Sequence, residues 1–186
     1  MVSFEIVLAA ILVGLLAVAS ATDARSRIIP DWVNVSIVAL AIPFWWTTGL
    51  TLWPGLALQL GVAASVFAVL LGAFNLGQMG GGDVKLLTAL ALFLPPLDFL
   101  DAFVATAMVG GILTSIQLVR HIVRSDRQVF ENPYGISISI GALIALGGRY
   151  GLLPEAKILS VLTPIAIMCC VAAFLFRLWR RGFAAR

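Results

Sequence analysis

Two acidic residues stand where a carboxylate has chemical consequences. Asp23 closes the apolar run over residues 3–22, and Asp83 opens another over residues 84–97. A carboxylate at the edge of a membrane-length apolar run is costly, so each one needs a reason. A carboxyl pair at one membrane face is suited to proton transfer, either in a reaction or along a path for protons or cations.

The residues around each acid narrow the choice only partly. Asp83 lies in Gly77-Gln78-Met79-Gly80-Gly81-Gly82-Asp83-Val84-Lys85. Consecutive glycines permit backbone conformations closed to other residues and let another chain approach closely. A turn with Asp83 as a helix cap explains the same residues. A phosphate-binding loop is a poor match, because the Gly-x-x-x-x-Gly-Lys-Ser/Thr spacing is missing. Asp23 lies in Thr22-Asp23-Ala24-Arg25-Ser26-Arg27-Ile28-Ile29-Pro30-Asp31. The helix dipole disfavours a carboxylate at the carboxyl end of a span, which hints at a task for Asp23. Asp31 follows a proline and precedes an apolar run, as a capping residue does. Lys85, two positions after Asp83, points away from it on a helix and is expected to snorkel toward the interface. His121, the single histidine, falls in a basic stretch and reads as a solvated loop residue. The adjacent Cys169 and Cys170 sit within an apolar run, unsuited to a disulfide framework or a zinc site.

The elements that position these residues are membrane spans. Of 186 residues, 61% are hydrophobic and only 11% charged, against about 25% charged in soluble domains. A soluble fold of this size cannot hide so much apolar surface. The fold class expected is therefore all-α, a polytopic membrane helical bundle forming one domain over residues 1–186. Seven spans, or six to seven, are predicted near residues 3–22, 32–50, 53–75, 84–97, 99–119, 134–149 and 157–178. The fourth and sixth are short. Ala19-Ser20-Ala21 resembles a signal-peptide cleavage site, but Glu5 precedes the run and Arg25 and Arg27 follow it, the reverse of a signal peptide's charge order.

Seven spans starting outside leave ten basic residues inside, including Arg25, Arg27, Lys85, Arg120 and Arg177, and only Arg149 and Lys157 outside. That asymmetry predicts a periplasmic amino terminus and a cytoplasmic carboxyl terminus, with Asp23 and Asp83 at the cytoplasmic face. Asp98, Asp101 and Glu155 then lie on the opposite side. Trp32, Trp45, Trp46, Trp53 and Trp179 fall at span ends and are expected to be interfacial anchors. The net charge of +3 is accounted for by topology and does not point to nucleic acid.

In chain order, Asp23 with its Arg and Ile-Pro continuation, Gly80-Gly81-Gly82-Asp83-Val84-Lys85, and Pro133-Tyr134-Gly135 together resemble the type IV prepilin peptidases, which are Gly-x-Gly-Asp aspartic proteases. The likeness is closest to the minimal members that serve Tad/Flp-type pili, and it covers roughly residues 5–150. It implies that Asp23 and Asp83 are the catalytic pair, with Gly80, Gly82, Lys85, Pro133, Tyr134 and Gly135 supporting the motif or shaping a substrate groove. The implied activity is removal of a short basic leader from prepilins at the cytoplasmic face of the bacterial inner membrane. The implied partners are a prepilin or pseudopilin and the pilus assembly machinery, with no metal or cofactor. The larger members also carry a four-cysteine zinc loop associated with methylating the new amino terminus. This chain has no such cysteine pairs, so cleavage without methylation is expected. Asp31 departs from the family, where Asn usually follows the Ile-Pro. It is expected to replace that Asn as a cap, or to raise the proton affinity of the pair if it comes close. The competing reading from the residues is a small cation- or proton-coupled transporter using the same two aspartates.

Overall fold

The computed structural model describes residues 2–124 and 134–152. Among the described residues the chain is helical throughout, with six helices and no strand. These are α1 (Val2–Ser26), α2 (Asp31–Thr47), α3 (Ala57–Asn75), α4 (Gly81–Phe93), α5 (Pro96–Arg124) and α6 (Tyr134–Arg149). A single wide turn over Leu52–Leu56 leads into α3. The stretches Phe4–Ser26, Leu52–Asn75 and Pro96–Ile116 are long and apolar enough to cross a membrane. The expected seventh span at 157–178, with Cys169, Cys170 and Trp179, lies outside the described residues.

Short connections make successive helices antiparallel. α6 packs on α5 and α1, α4 packs on α2 and α3, and α1 meets α2. The contact of α5 with α6 is close enough to exclude a side chain. A Cβ at Gly141 would collide with Thr106 Oγ1 and sit 2.5 Å from the Ala102 carbonyl oxygen. The outward faces carry Phe4, Val7, Ile11, Phe67 and Val69 exposed, as a lipid-facing surface requires.

Helix α4 is 13 residues long, about 20 Å at 1.5 Å per residue, against a hydrocarbon core of about 30 Å. Its neighbours compensate. Val84, Leu86, Leu87, Leu90, Ala91 and Phe93 are all buried, so the helix meets protein more than lipid. The carbonyls at its carboxyl end, which no helical N–H can reach, accept from side chains on other helices. Gln59 Nε2 donates to the carbonyls of Ala91 (2.8 Å) and Leu94 (2.6 Å), and Trp45 Nε1 donates to that of Leu92 (2.9 Å). At membrane depth an unpaired carbonyl costs several kcal/mol, so these donors let α4 end early.

Three expectations need correction here. Trp45 is half-buried and hydrogen-bonded inward, so it is a cap for α4 rather than an interfacial anchor. Trp32, Trp46 and Trp53 are exposed as anchoring requires. His121 lies on helix α5 and not in a loop, because the helix runs on to Arg124 through residues whose polarity had suggested its end. Asp31 occupies the first turn of α2 with Pro30 as the N-cap, and no side chain caps that end.

At the end of the bundle away from Asp23 and Asp83, Arg149 Nη1 donates to Asp98 Oδ2 at 2.6 Å. Its guanidinium lies 5.5 Å from the centroid of the Phe44 ring. This pair ties the start of α5 to the end of α6, and places Asp98 on the side opposite the two aspartates.

Candidate active site

Asp23 is carried inward by helical periodicity. Leu8, Leu12, Leu16 and Ala19 are buried in the core, and Asp23 continues the same stripe at 6% exposure. Three residues later α1 stops. Arg27 takes the left-handed conformation (φ 55°), and its N–H returns to the Asp23 carbonyl at 2.9 Å, an αL termination.

The carboxylate thus sits at the unfavourable end of its own helix, but it faces the favourable end of another. The Gly135 N–H, in the first turn of α6, donates to Asp23 Oδ2 at 2.8 Å. That N–H is one of the amides a helix cannot satisfy internally, and the positive end of the α6 dipole lies behind it. The approach requires glycine. A Cβ at 135 would lie 2.8 Å from Asp23 Oδ2, 2.9 Å from its Cβ and 3.0 Å from its Cγ. Ser139 Oγ, bonded to the carbonyls of Leu16 (3.1 Å) and Gly135 (2.8 Å), fixes α6 against α1 one turn further along.

Asp83 is placed by a glycine turn. α3 ends in a Schellman motif, in which Gly77 (φ 66°) and Gln78 return their N–H groups to the carbonyls of Phe74 and Ala73. Gly80 then caps α4 in an extended conformation (φ −73°, ψ 146°). Asp83 lies three residues on, and its carboxylate hydrogen-bonds back to the Gly80 backbone, as in one half of a capping box. Gly82 lets α4 meet the α1–α2 turn, since a Cβ there would lie 3.2 Å from the Ile29 Cβ.

The two aspartates line one cavity of about 310 Å³ at the end of the bundle, together with Ile28, Ile29, Gly80, Gly81, Gly82 and Lys85. Asp83 is buried and lies just ahead of the apolar stretch that begins at Val84. Burial, with the neighbouring Asp23 carboxylate adding to it, pushes the Asp83 carboxyl up to about 6, against the hydrogen bond from Gly80. An acid that keeps its proton up to about pH 6 beside a second carboxyl can exchange protons with a substrate held between them.

The other expected site residues separate. Gly80, Gly82 and Lys85 line the cavity with the aspartates. Gly135 holds Asp23 through its N–H. Tyr134 faces a different cavity, beside Met79, Phe103 and Gly110. Pro133 lies outside the described residues. Lys85 does not snorkel alone, because its Nζ meets Asp31 Oδ1 at 2.7 Å. Both side chains are more than half exposed, so the pair adds little stability. The Gly135 amide and the Asp31–Lys85 pair had no signature of their own in the sequence. The signal that did exist was the buried stripe from Leu8, which points Asp23 inward.

A family model described as the type IV leader peptidase family matches residues 10–115. The chain belongs to the type IV leader peptidase family. No curated protein and no solved structure matches it. The matched stretch contains both aspartates and the glycine turn, while Gly135 lies beyond it. A leader peptidase hydrolyses a peptide bond, and in this family member the cavity holding Asp23 and Asp83 is where buried acids and a bundle end coincide.

Proposed function

We propose that this protein is an aspartic endopeptidase, embedded in the inner membrane as one domain, that removes the short basic leader from Flp-like type IV prepilins at the cytoplasmic face. Asp23 and Asp83 are its catalytic pair. One observation carries this reading: two carboxyls distant in the sequence, both buried, line a single cavity at one end of the bundle. The basic residues Arg25, Arg27 and Lys85 flank that end, which supports a cytoplasmic position.

In the reaction, Asp23, oriented by the Gly135 amide, takes a proton from water as the water oxygen bonds to the scissile carbonyl carbon. Asp83 gives its proton to the carbonyl oxygen. The tetrahedral intermediate collapses when the C–N bond breaks. The leaving nitrogen then takes the proton held by Asp23, and Asp83 recovers one from a hydroxyl of the intermediate. The products are the leader's new carboxyl end and the free amine of the mature pilin, with no methyl transfer. A transporter would place its acids nearer the middle of the membrane than these stand.

Co-expression with a prepilin tests the proposal. Asp23→Asn and Asp83→Asn preserve shape and remove the acid, and each alone should abolish leader removal on an immunoblot. Cleavage at near wild-type rates by either variant would refute the pairing.

A further inference from the structure

A second cavity of about 440 Å³ adjoins the first. It runs down the bundle between α2 and α4, with Phe67 of α3 along its side, and its other lining residues are Asn34, Val35, Val38, Thr88 and Ala89. Asp31 and Lys85 line both cavities, so their ion pair stands at the border between the two. Asp31, Asn34, Val35 and Val38 share one face of α2, and Lys85, Thr88 and Ala89 share one face of α4. At 1.5 Å per residue, Val38 lies about 10 Å deeper than Asp31. A path therefore leads from the two carboxyls, past an ion pair, into an apolar groove.

Asn34 is out of place in that groove. It is 6% exposed, and neither its Oδ1 nor its Nδ2 has a hydrogen-bond partner among the described residues. A buried amide left unpaired costs about 1–3 kcal/mol, and a leucine there would avoid that cost. Lipid chains offer no partner. A peptide does, because an extended segment presents both N–H and C=O, and the first turn of a helix presents N–H groups with no partner of their own. On the peptidase reading the leader is removed at the membrane face, so the chain leaving the carboxyl pair runs on into the bilayer, apolar and, at its first turn, short of acceptors.

We propose that the α2–α4 groove seats the apolar segment of the substrate immediately after the scissile bond, and that the Asn34 amide hydrogen-bonds its first unpaired peptide groups. Asn34 is then a positioning residue, setting which bond lies between Asp23 and Asp83. This rests on the peptidase reading, and the groove is the continuation of that site. The Tyr134 cavity offers no equivalent, since its buried threonine, Thr106, already donates to the Ala102 carbonyl.

The test uses full-length protein in detergent and a synthetic peptide with a Lys/Arg-rich leader joined to an apolar helix of about 20 residues. A photoreactive phenylalanine replaces Val38 in one protein and Phe103 in another, each in the Asp83→Asn background, so binding is read without cleavage. Crosslinking from position 38 to the first two turns after the junction is the expected result. Capture of that segment from position 103 instead, or from neither position, overturns the proposal. Asn34→Leu in the active protein should raise KM for prepilin about fivefold, the worth of one hydrogen bond, with kcat little changed and the melting temperature not lowered. A lowered melting temperature with unchanged KM would make Asn34 a structural residue and also overturn it. Failure of the catalytic pair would appear separately, as cleavage surviving Asp23→Asn or Asp83→Asn while the crosslink pattern stands.

Discussion

Gly135→Ala is a one-carbon change aimed at the Asp23 carboxylate. The added Cβ would fall 2.9 Å from Asp23 Cβ and 3.0 Å from its Cγ, so rotating the carboxylate tip alone does not relieve the clash. Turning about χ1 moves Cγ but leaves Cβ in place, so α1 and α6 must also part by a few tenths of an ångström, and the 2.8 Å bond from the Gly135 N–H is lost. A hydrogen bond to a charged group contributes about 1.5–3 kcal/mol, and about 1.4 kcal/mol is tenfold in rate. The expected fall in kcat/KM is therefore about 10- to 100-fold, with displacement of the base adding to it. Parting the two helices costs on the order of 1–3 kcal/mol, more than the gain of up to about 1 kcal/mol from alanine over glycine in a helix, so the melting temperature should fall modestly and kcat/KM is taken on the folded fraction. Prepilin cleavage in proteoliposomes, read beside a thermal melt, measures both quantities. Gly111→Ala is the control, because nothing lies within 4 Å of a Cβ there. Wild-type kcat/KM in the Gly135→Ala protein would show that the amide does not hold a working carboxylate.

Two further outcomes follow from the same geometry. The folded chain keeps the Asp83 proton up to about pH 6, whereas an unfolded aspartate loses it near 3.8. Between those values the folded state binds the extra proton, so stability should fall as pH rises through that window. Cleavage should likewise decline above about pH 6 as the acid is lost, and melts of Asp83→Asn should lack the wild-type slope. Gly141→Ala should act on the fold instead, since its Cβ would meet the backbone of α5 at 2.5 Å from Ala102 O and 2.7 Å from Thr106 N. Separating α5 from α6 costs on the order of 1–3 kcal/mol, seen as a lowered melting temperature with kcat retained in the folded fraction.

The residues differ in how far they could be read in advance. Asp23 and Asp83 were legible, because an acid at the edge of an apolar run is conspicuous and the order of spans sets both at one face. The membrane class and the helical character were legible for the same reason. The glycines before Asp83 were legible as a turn, but their separate duties were not. Gly77 ends α3 in the left-handed region, Gly80 caps α4, and Gly82 admits Ile29. The ion partner of Lys85 was not legible, because Asp31 lies on another helix. Trp45 was misread because its position near a span end suits an anchor and a cap equally well.

Hydropathy is a property of each residue that sums along a window, so the chain alone determined that this molecule is a bundle of membrane helices with acids at its ends. Contacts between helices depend on how far each is rotated and how deep it sits relative to its neighbours, and no local sum contains that. Only the tertiary structure decided that the amino end of α6 would meet Asp23, that Gln59 and Trp45 would close α4, and that an unpaired Asn34 would line the cavity adjoining that of the carboxyl pair. Each of these joins a group on one helix to one distant in the sequence, and its strength comes from angstrom-scale fit.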